Sequence, residues 1–160
     1  MEKKPIKRNE NILPLSREHH FSLLFGWKVR EGLKKGIAAE RIVKYVDYFW
    51  RENLSLHFKE EEATLFAATE DDLVKKALSD HAEIKAAVEA LLSNKQHQVA
   101  QLEKIARLVD AHVRLEEREV FPHLEKKLSE EELGKIGRQL AELHADQLKD
   151  NFKDEFWNEK

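Results

Sequence analysis

The chain contains no cysteine, and it has only five glycines and three prolines among its 160 residues. Without a thiol the protein forms no disulfide, no thiolate-bound zinc site and no iron–sulfur cluster, and it has no cysteine nucleophile. Any metal ion must be bound by imidazole and carboxylate groups, which suit iron, manganese or zinc. The scarcity of glycine and proline leaves little material for tight turns and favours long helices over sheets.

The sequence also lacks a long apolar run and a marked excess of either charge. No stretch approaches the roughly 20 apolar residues that cross a bilayer, and the first fourteen residues are polar and charged, unlike a secretory signal. The 28 basic and 31 acidic residues are interspersed and give a net charge of −3, so no basic stripe follows a phosphate backbone. We expect a soluble, cytoplasmic protein that binds neither nucleic acid nor membrane.

Hydrophobic residues make up 41% of the chain and charged residues 37%, and apolar residues recur at helical spacing in four segments. An irregular arm is predicted to end at Pro14. The first helix then runs from a cap at Ser16 to a stop at Gly36, where glycine favours a left-handed turn. The second helix is predicted from near Ala38 to near Ala68.

The third and fourth helices follow with the same periodicity. Thr69 with Asp72 three residues later is typical of a capping box, and it predicts the start of the third helix. The polar stretch 93–96 ends it. Pro122 lies late in the fourth helix and is predicted to kink this helix rather than end it.

A second capping box, Ser129 with Glu132, predicts a short fifth helix over about residues 130–148, and an aromatic tail follows over 149–160. Four long helices with short connections predict an all-α, antiparallel up-and-down four-helix bundle over about residues 15–128. The whole chain is predicted to form one domain.

Candidate metal-binding residues lie on the apolar faces of the predicted helices. On the second helix, His57 and Glu61 are one turn apart on the buried face. His81 falls on the buried face of the third helix, and His112 and Glu116 fall on that of the fourth. These positions bring the side chains to similar heights in an antiparallel bundle.

The first helix contributes one of two adjacent histidines, His19 and His20. Neighbours on a helix face directions about 100° apart, so both cannot point directly inward. His20 fits the buried face better, because Leu23, Leu24 and Trp27 follow it at spacings of three, four and seven residues. His20 is therefore the preferred candidate and His19 the alternative.

A common cation would explain this set of residues. A single histidine on an apolar face is more often a hydrogen-bonded core residue than a ligand. A buried ionised carboxylate, however, costs several kcal/mol unless it is paired or binds a metal. Two carboxylates can each bridge a metal pair, and an open coordination position would admit dioxygen, peroxide or nitric oxide.

The remaining histidines are expected outside the site. His97 lies in a predicted loop and His144 on the last helix, so both are expected to be solvated. His123 follows Glu116 by seven residues, which places it about 10 Å further along the helix axis. This separation is too large for a shared ligand position, and a structural role is expected for His123.

The chain resembles the hemerythrin and HHE cation-binding family from Leu15 to about Leu148. The resemblance rests on LSREHH (15–20), HFKEEE (57–62), DHAEI (80–84) and HVRLEEREVFP (112–122), taken in this order on four helices. It implies a helical bundle with a non-haem di-iron centre, whose two iron ions are compatible with an oxo or hydroxo bridge. The terminal ligands implied are His20 (or His19), His57, His81 and His112, and the implied bridging carboxylates are Glu61 and Glu116.

The sequence departs from the oxygen-carrying members of this family. Those members have a second histidine four residues after the one matching His81, where this chain has Lys85. They also use an aspartate five residues after the last histidine, whereas here Glu116 is the candidate at four residues and Glu117 competes at five. Water, Glu60 or the other member of the adjacent histidine pair are the possible replacements for the missing ligand.

The resemblance therefore favours a di-iron protein that binds or senses dioxygen or a related small ligand, or handles iron. A monomer and a homodimer are both left open, the latter because of the aromatic tail. A di-iron oxidase or peroxide-reducing enzyme is the alternative. Ferritin-like oxidases use Glu-x-x-His, and no histidine here has a glutamate three residues before it. Relatives that donate iron to damaged clusters often carry a cysteine-containing segment, and this chain has no cysteine. A metal-free helical interaction domain is the remaining alternative.

Overall fold

The computed structural model describes residues 7–160, and within them all regular structure is helical, with no β-strand. The α-helices are α1 (Leu13–Lys34), α2 (Ala39–Phe49), α3 (Ser55–Ala63), α4 (Asp72–Ser93), α5 (Gln98–Leu115), α6 (Phe121–Lys127) and α7 (Glu130–Glu142). Short π-helical segments, Trp50–Leu54 and Glu116–Val120, join α2 to α3 and α5 to α6, and a 3-10 turn spans Phe156–Asn158. The predicted helical, strand-free chain is thus confirmed. None of its described helices has the length and apolar character that crossing a membrane would require.

The helices pack as a bundle in which α5 lies against both α1 and α4, and α2 contacts α1, α4 and α5. Two apolar clusters form the core. One contains Ile84 and Val109, and the other contains Ala77 and Val120. On α4, His81 lies between Ala77 of one cluster and Ile84 of the other. Likewise, His112 and Glu116 lie between Val109 and Val120, which belong to different clusters. The candidate site is therefore a polar layer between two apolar clusters, which restrict access of water to it.

The helix α1 begins earlier than predicted, at Leu13, with Pro14 in its first turn. Proline fits there because its fixed φ suits the first turn and its missing N–H has no partner to lose. The prediction that Ser16 caps this helix is therefore wrong, and the Ser16 hydroxyl instead donates to Glu117. Gly36 has φ +69°, as predicted for a left-handed stop. Of the predicted irregular arm, residues 1–6 lie outside the described part of the chain.

The connection between α3 and α4 also differs from the prediction. Helix α3 ends at Ala63, and the Thr64 hydroxyl donates to the carbonyl of Glu60 at 2.7 Å. The cap of α4 is Asp71, whose side chain accepts from the backbone N–H of Val74 at 3.0 Å. The prediction of a capping box at Thr69 and Asp72 is wrong, because Asp71 and not Thr69 is the N-cap residue of α4.

The helical path of α5 continues past Pro122, as predicted, after the π-helical segment Glu116–Val120. The capping box of Ser129 and Glu132 is present at the start of α7. Helix α7 ends at Glu142 rather than near residue 148, because His144 and Asp146 adopt left-handed backbone angles that end an α-helix.

The C-terminal segment folds back onto the bundle. Lys28 and Asp150 form an ion pair at 3.0 Å with little exposure of either side chain, and the Tyr45 hydroxyl also donates to Asp150. Phe156 is fully buried in the first apolar cluster. The segment therefore closes one end of the core.

Candidate metal centre

Four histidines and two glutamates from five helical segments meet in the polar layer. Helix α1 contributes one histidine, α3 a histidine and a glutamate, α4 and α5 a histidine each, and the π-helical segment after α5 the second glutamate. All are buried: His19, His57, Glu61, His81, His112 and Glu116.

These residues form two overlapping groups that have the composition of metal sites. In each group, one ligand atom per residue lies within 4.8 Å of the others. We call the group of His19 and His57 the first cation position, and that of His81 and His112 the second. Glu61 and Glu116 belong to both groups and are called the inner carboxylates here.

The Nε2 atoms of all four histidines face the inner carboxylates. At the first position, His19 Nε2 lies 2.8 Å from Glu116 Oε1, and His57 Nε2 lies 3.2 Å from Glu61 Oε1. At the second position, His81 Nε2 is 3.2 Å from the same Glu61 oxygen, and His112 Nε2 is 3.3 Å from Glu116 Oε2. Nitrogen and oxygen ligand atoms thus converge on a shared centre.

Each Nδ1 atom points away from that centre and donates to a second set of carboxylates, which we call the outer carboxylates. The four pairs are His19 with Glu117 at 2.6 Å, His57 with Glu18 at 2.9 Å, His81 with Glu62 at 2.8 Å, and His112 with Asp80 at 3.1 Å. A proton held on Nδ1 leaves the Nε2 lone pair directed inward, and this is the usual arrangement of metal-binding histidines in proteins.

The outer carboxylates form a closed ring around the bundle. Glu18 of α1 accepts from His57 of α3, and Glu62 of α3 accepts from His81 of α4. Asp80 of α4 accepts from His112 of α5, and Glu117, which follows α5, accepts from His19 of α1. Every contact therefore joins two different helical stretches, and together these contacts fix the orientation of the four rings.

Several atoms in the centre lack a hydrogen-bond partner among the described residues. They are His57 Nε2, both side-chain oxygens of Glu61 and one oxygen of Glu116. The distances of 3.2 to 3.3 Å between these atoms and their neighbours are short, but they do not have hydrogen-bond geometry. Unsatisfied buried carboxylate oxygens are costly in a bundle core, whereas they are the ligands that a cation requires. The donor set therefore fits a metal site.

The pKa values show how these charges interact when no cation is bound. Burial by itself would lower the pKa of each histidine, because an imidazolium loses its hydration. The nearby carboxylates outweigh burial and raise the pKa of His81 to about 10 and that of His112 to about 9. They also raise the pKa of His19 and of His57. Despite its burial, Glu116 has a pKa well below its usual value because of these imidazoles.

The prediction that His20 faces the centre is wrong, since His20 is exposed and its neighbour His19 is buried. The apolar residues used for that prediction do not mark the buried face of α1. Leu23 is 42% exposed and Trp27 is 45% exposed. The buried face instead carries Leu15, Phe25 and Val29. Polar residues such as Glu18, Ser22 and Lys28 lie among them, so this face is less apolar in sequence than a buried face usually is.

The competitors considered for the site lie around its edge. Glu117 approaches the outer nitrogen of His19 and belongs to neither candidate group. Glu60 is buried beside Glu18, and burial together with the Glu18 charge raises its pKa to about 8, but it too lies outside both groups. Lys85 lines a cavity of about 470 Å³ next to His81.

Sequence reasoning missed three of the outer carboxylates, Glu18, Glu62 and Asp80, and considered Glu117 only as a metal ligand, although a local signal exists. Each one stands directly beside a candidate ligand in the chain. Glu18 precedes His19, and Asp80 precedes His81. The glutamates at 62 and 117 directly follow the inner carboxylates. A charged residue next to a buried ligand is ordinarily expected to be solvated, and here it reaches a neighbouring helix instead.

The other histidines lie outside the centre, as predicted. His97 and His144 are exposed and have positive φ angles. His123 lies 2.8 Å from the carboxylate of Asp71, the residue that caps α4. It therefore joins α6 to the start of α4.

Comparison with known proteins yields one family. Neither the curated proteins nor the solved structures contain a significant match to this chain. A family model, the hemerythrin HHE cation binding domain, matches residues 16–124. This span includes both candidate cation positions and the complete ring of outer carboxylates. The chain therefore belongs to the hemerythrin HHE cation-binding family.

Proposed function

We propose that the protein holds two iron ions at the two cation positions and that this centre binds or senses dioxygen or a related small ligand, or handles iron. One observation carries the proposal: four imidazoles direct Nε2 toward two shared buried carboxylates, while each Nδ1 is fixed by an outer carboxylate. The predicted antiparallel, up-and-down order of the helices is part of the same proposal.

The residues have separate roles in it. His19 and His57 would hold one cation, and His81 and His112 would hold the other. The inner carboxylates Glu61 and Glu116, shared by both groups, are placed to hold the two cations close together and to offset part of their mutual repulsion. The outer carboxylates increase the basicity of the imidazoles and prevent their rotation.

When bound, a pair of iron ions would supply an electron reservoir and a coordination position for a small ligand. The chain's own contribution is to orient the ligands and keep the centre dry. The Phe121 ring stacks on His19 at a centroid distance of 5.3 Å, and Phe58 stacks on His81 at 3.8 Å. These aromatic rings lie beside both cation positions and lower the local polarity.

Iron retention tests the proposal directly. The protein is incubated with Fe(II) under anaerobic conditions, desalted, and analysed for metal by elemental analysis. Two irons per chain are expected from the two groups. The variants His112→Ala and Glu61→Ala are expected to retain less, whereas His97→Ala, which alters an exposed histidine, retains the wild-type amount. An iron-free wild-type protein, or equal iron in all variants, would contradict the proposal.

A further inference from the structure

The two cation positions have the same kind of ligands but different surroundings. His81 and His112, at the second position, each line a cavity on the surface of the bundle. The cavity beside His112 has a volume of about 590 Å³, and that beside His81 about 470 Å³. Neither His19 nor His57 lines either of these cavities. Space for water therefore lies directly behind both imidazoles of the second position.

Among the described residues, neither outer carboxylate of the second position has a buried partner other than its histidine. The Glu62 side chain is 45% exposed, and its contact is with His81. The Asp80 side chain is only 12% exposed, but besides His112 it accepts from Lys76, whose side chain is 58% exposed. A carboxylate in contact with solvent holds an imidazole less firmly, because water competes for its oxygens.

Segments outside the main helices anchor the outer carboxylates of the first position. Glu18 is fully buried and accepts from the backbone N–H of Asp146, in the segment after α7, at 3.2 Å. Glu117 is partly exposed but accepts from the Ser16 hydroxyl and from Arg8, whose side chain is buried. Arg8, which precedes α1, and Asp146, which follows α7, therefore help to enclose this position.

We propose that the two positions exchange cations at different rates: the second position loads from and releases to solvent, whereas the first position retains its cation. The cavities give His81 and His112 room to move outward. Glu62 is open to solvent, and Asp80 is held by the exposed Lys76. The imidazoles of the first position are blocked by Glu18, Glu117 and the segments that cover them. This inference rests on the proposed function, because it requires two bound cations.

The rate of release to a chelator tests the asymmetry. Protein loaded with two Fe(II) per chain is mixed, without oxygen, with an excess of a chromophoric Fe(II) chelator. The absorbance should rise in two phases of equal amplitude, with rates that differ by about tenfold or more, the scale on which outer-ligand contacts alter metal affinity. A single phase that releases both irons would overturn the asymmetry and leave the proposed function intact. Failure to load iron would overturn both.

Variants assign each phase to a position. His112→Ala should retain one iron that leaves at the slow rate, and His19→Ala one iron that leaves at the fast rate. The opposite assignment would refute the inference. Circular dichroism establishes that both variants are folded before loading.

A milder pair of variants keeps the test valid if a histidine variant does not fold. Asp80→Asn and Glu18→Gln make the same carboxylate-to-amide change at the two positions. Asp80→Asn should accelerate only the fast phase, and Glu18→Gln only the slow phase, each by about tenfold. The exposed change His97→Ala should alter neither. Acceleration of the same phase by both amide variants would contradict the assignment.

Discussion

The adjacent pair His19 and His20 offers a sharp test of the site, because two identical changes one residue apart have different expected effects. His19 is buried and contacts Glu116 at 2.8 Å and Glu117 at 2.6 Å. His20 is exposed. In the metal-free protein, His19→Ala removes one partner of a buried charge pair, and such a loss costs about 3 kcal/mol of unfolding free energy.

The expected thermal effect follows from the size of the domain. For a chain of this length a loss of about 3 kcal/mol lowers the Tm by about 6 to 12 °C. His20→Ala, a surface change, should lie within about 0.5 kcal/mol of the wild type. Thermal melts followed by circular dichroism measure both values in the absence of metal.

The same two proteins differ in metal content. After anaerobic loading, His19→Ala should lose the cation of the first position and retain the other, so that elemental analysis gives half the wild-type iron. His20→Ala should retain the wild-type amount. Equal Tm values and equal iron in the two variants would refute the assignment of His19 to the centre, and a loss confined to His20→Ala would reverse it.

Three further predictions concern the metal-free protein and its packing. The pKa values of His81 and His112 lie above the unfolded value of 6.5, so their contribution to stability is complete below about pH 6.5 and is lost as pH rises through about 9 to 10. The Tm measured by circular dichroism should therefore fall between these pH values. A constant Tm would contradict the pKa shifts. Asp150→Ala leaves the buried Lys28 unpaired and should cost about 3 kcal/mol in chemical denaturation, whereas a cost near zero would mean that the C-terminal segment is not docked in solution. Ser129→Ala removes the cap of α7 and should cost about 1 kcal/mol in the same assay without altering iron content, and a change in iron content would show that α7 influences the centre.

Helical periodicity was sufficient to locate most of the centre. The buried positions of His57, His81 and His112 follow from apolar residues three or four places away, because the same face of a helix repeats at that spacing. Glu61 and Glu116 follow by the same rule. The structure brings these five residues together, and their role as ligands stays a prediction until metal is measured.

Other features could not be predicted because they depend on contacts between helices. The buried face of α1 carries Glu18 and Lys28, whose charges are neutralised by partners distant in the chain. Without these partners, the sequence favours the face that contains Trp27. The cap at Asp71 was missed because several consecutive polar residues can each serve as the N-cap of α4. The contacts of Asp71 with His123 and Lys127 favour Asp71 among them.

The closed ring of outer carboxylates has a consequence for how the bundle assembles. Glu18 and His19 are neighbours whose side chains leave α1 about 100° apart, and they contact different elements, α3 and the π-helical segment after α5. A rotation of α1 by one residue would break both contacts at once, and the same holds for α4 through Asp80 and His81. The ring is therefore compatible with only one rotation of these helices about their axes. Contacts within the protein thus align the ligands before any cation binds.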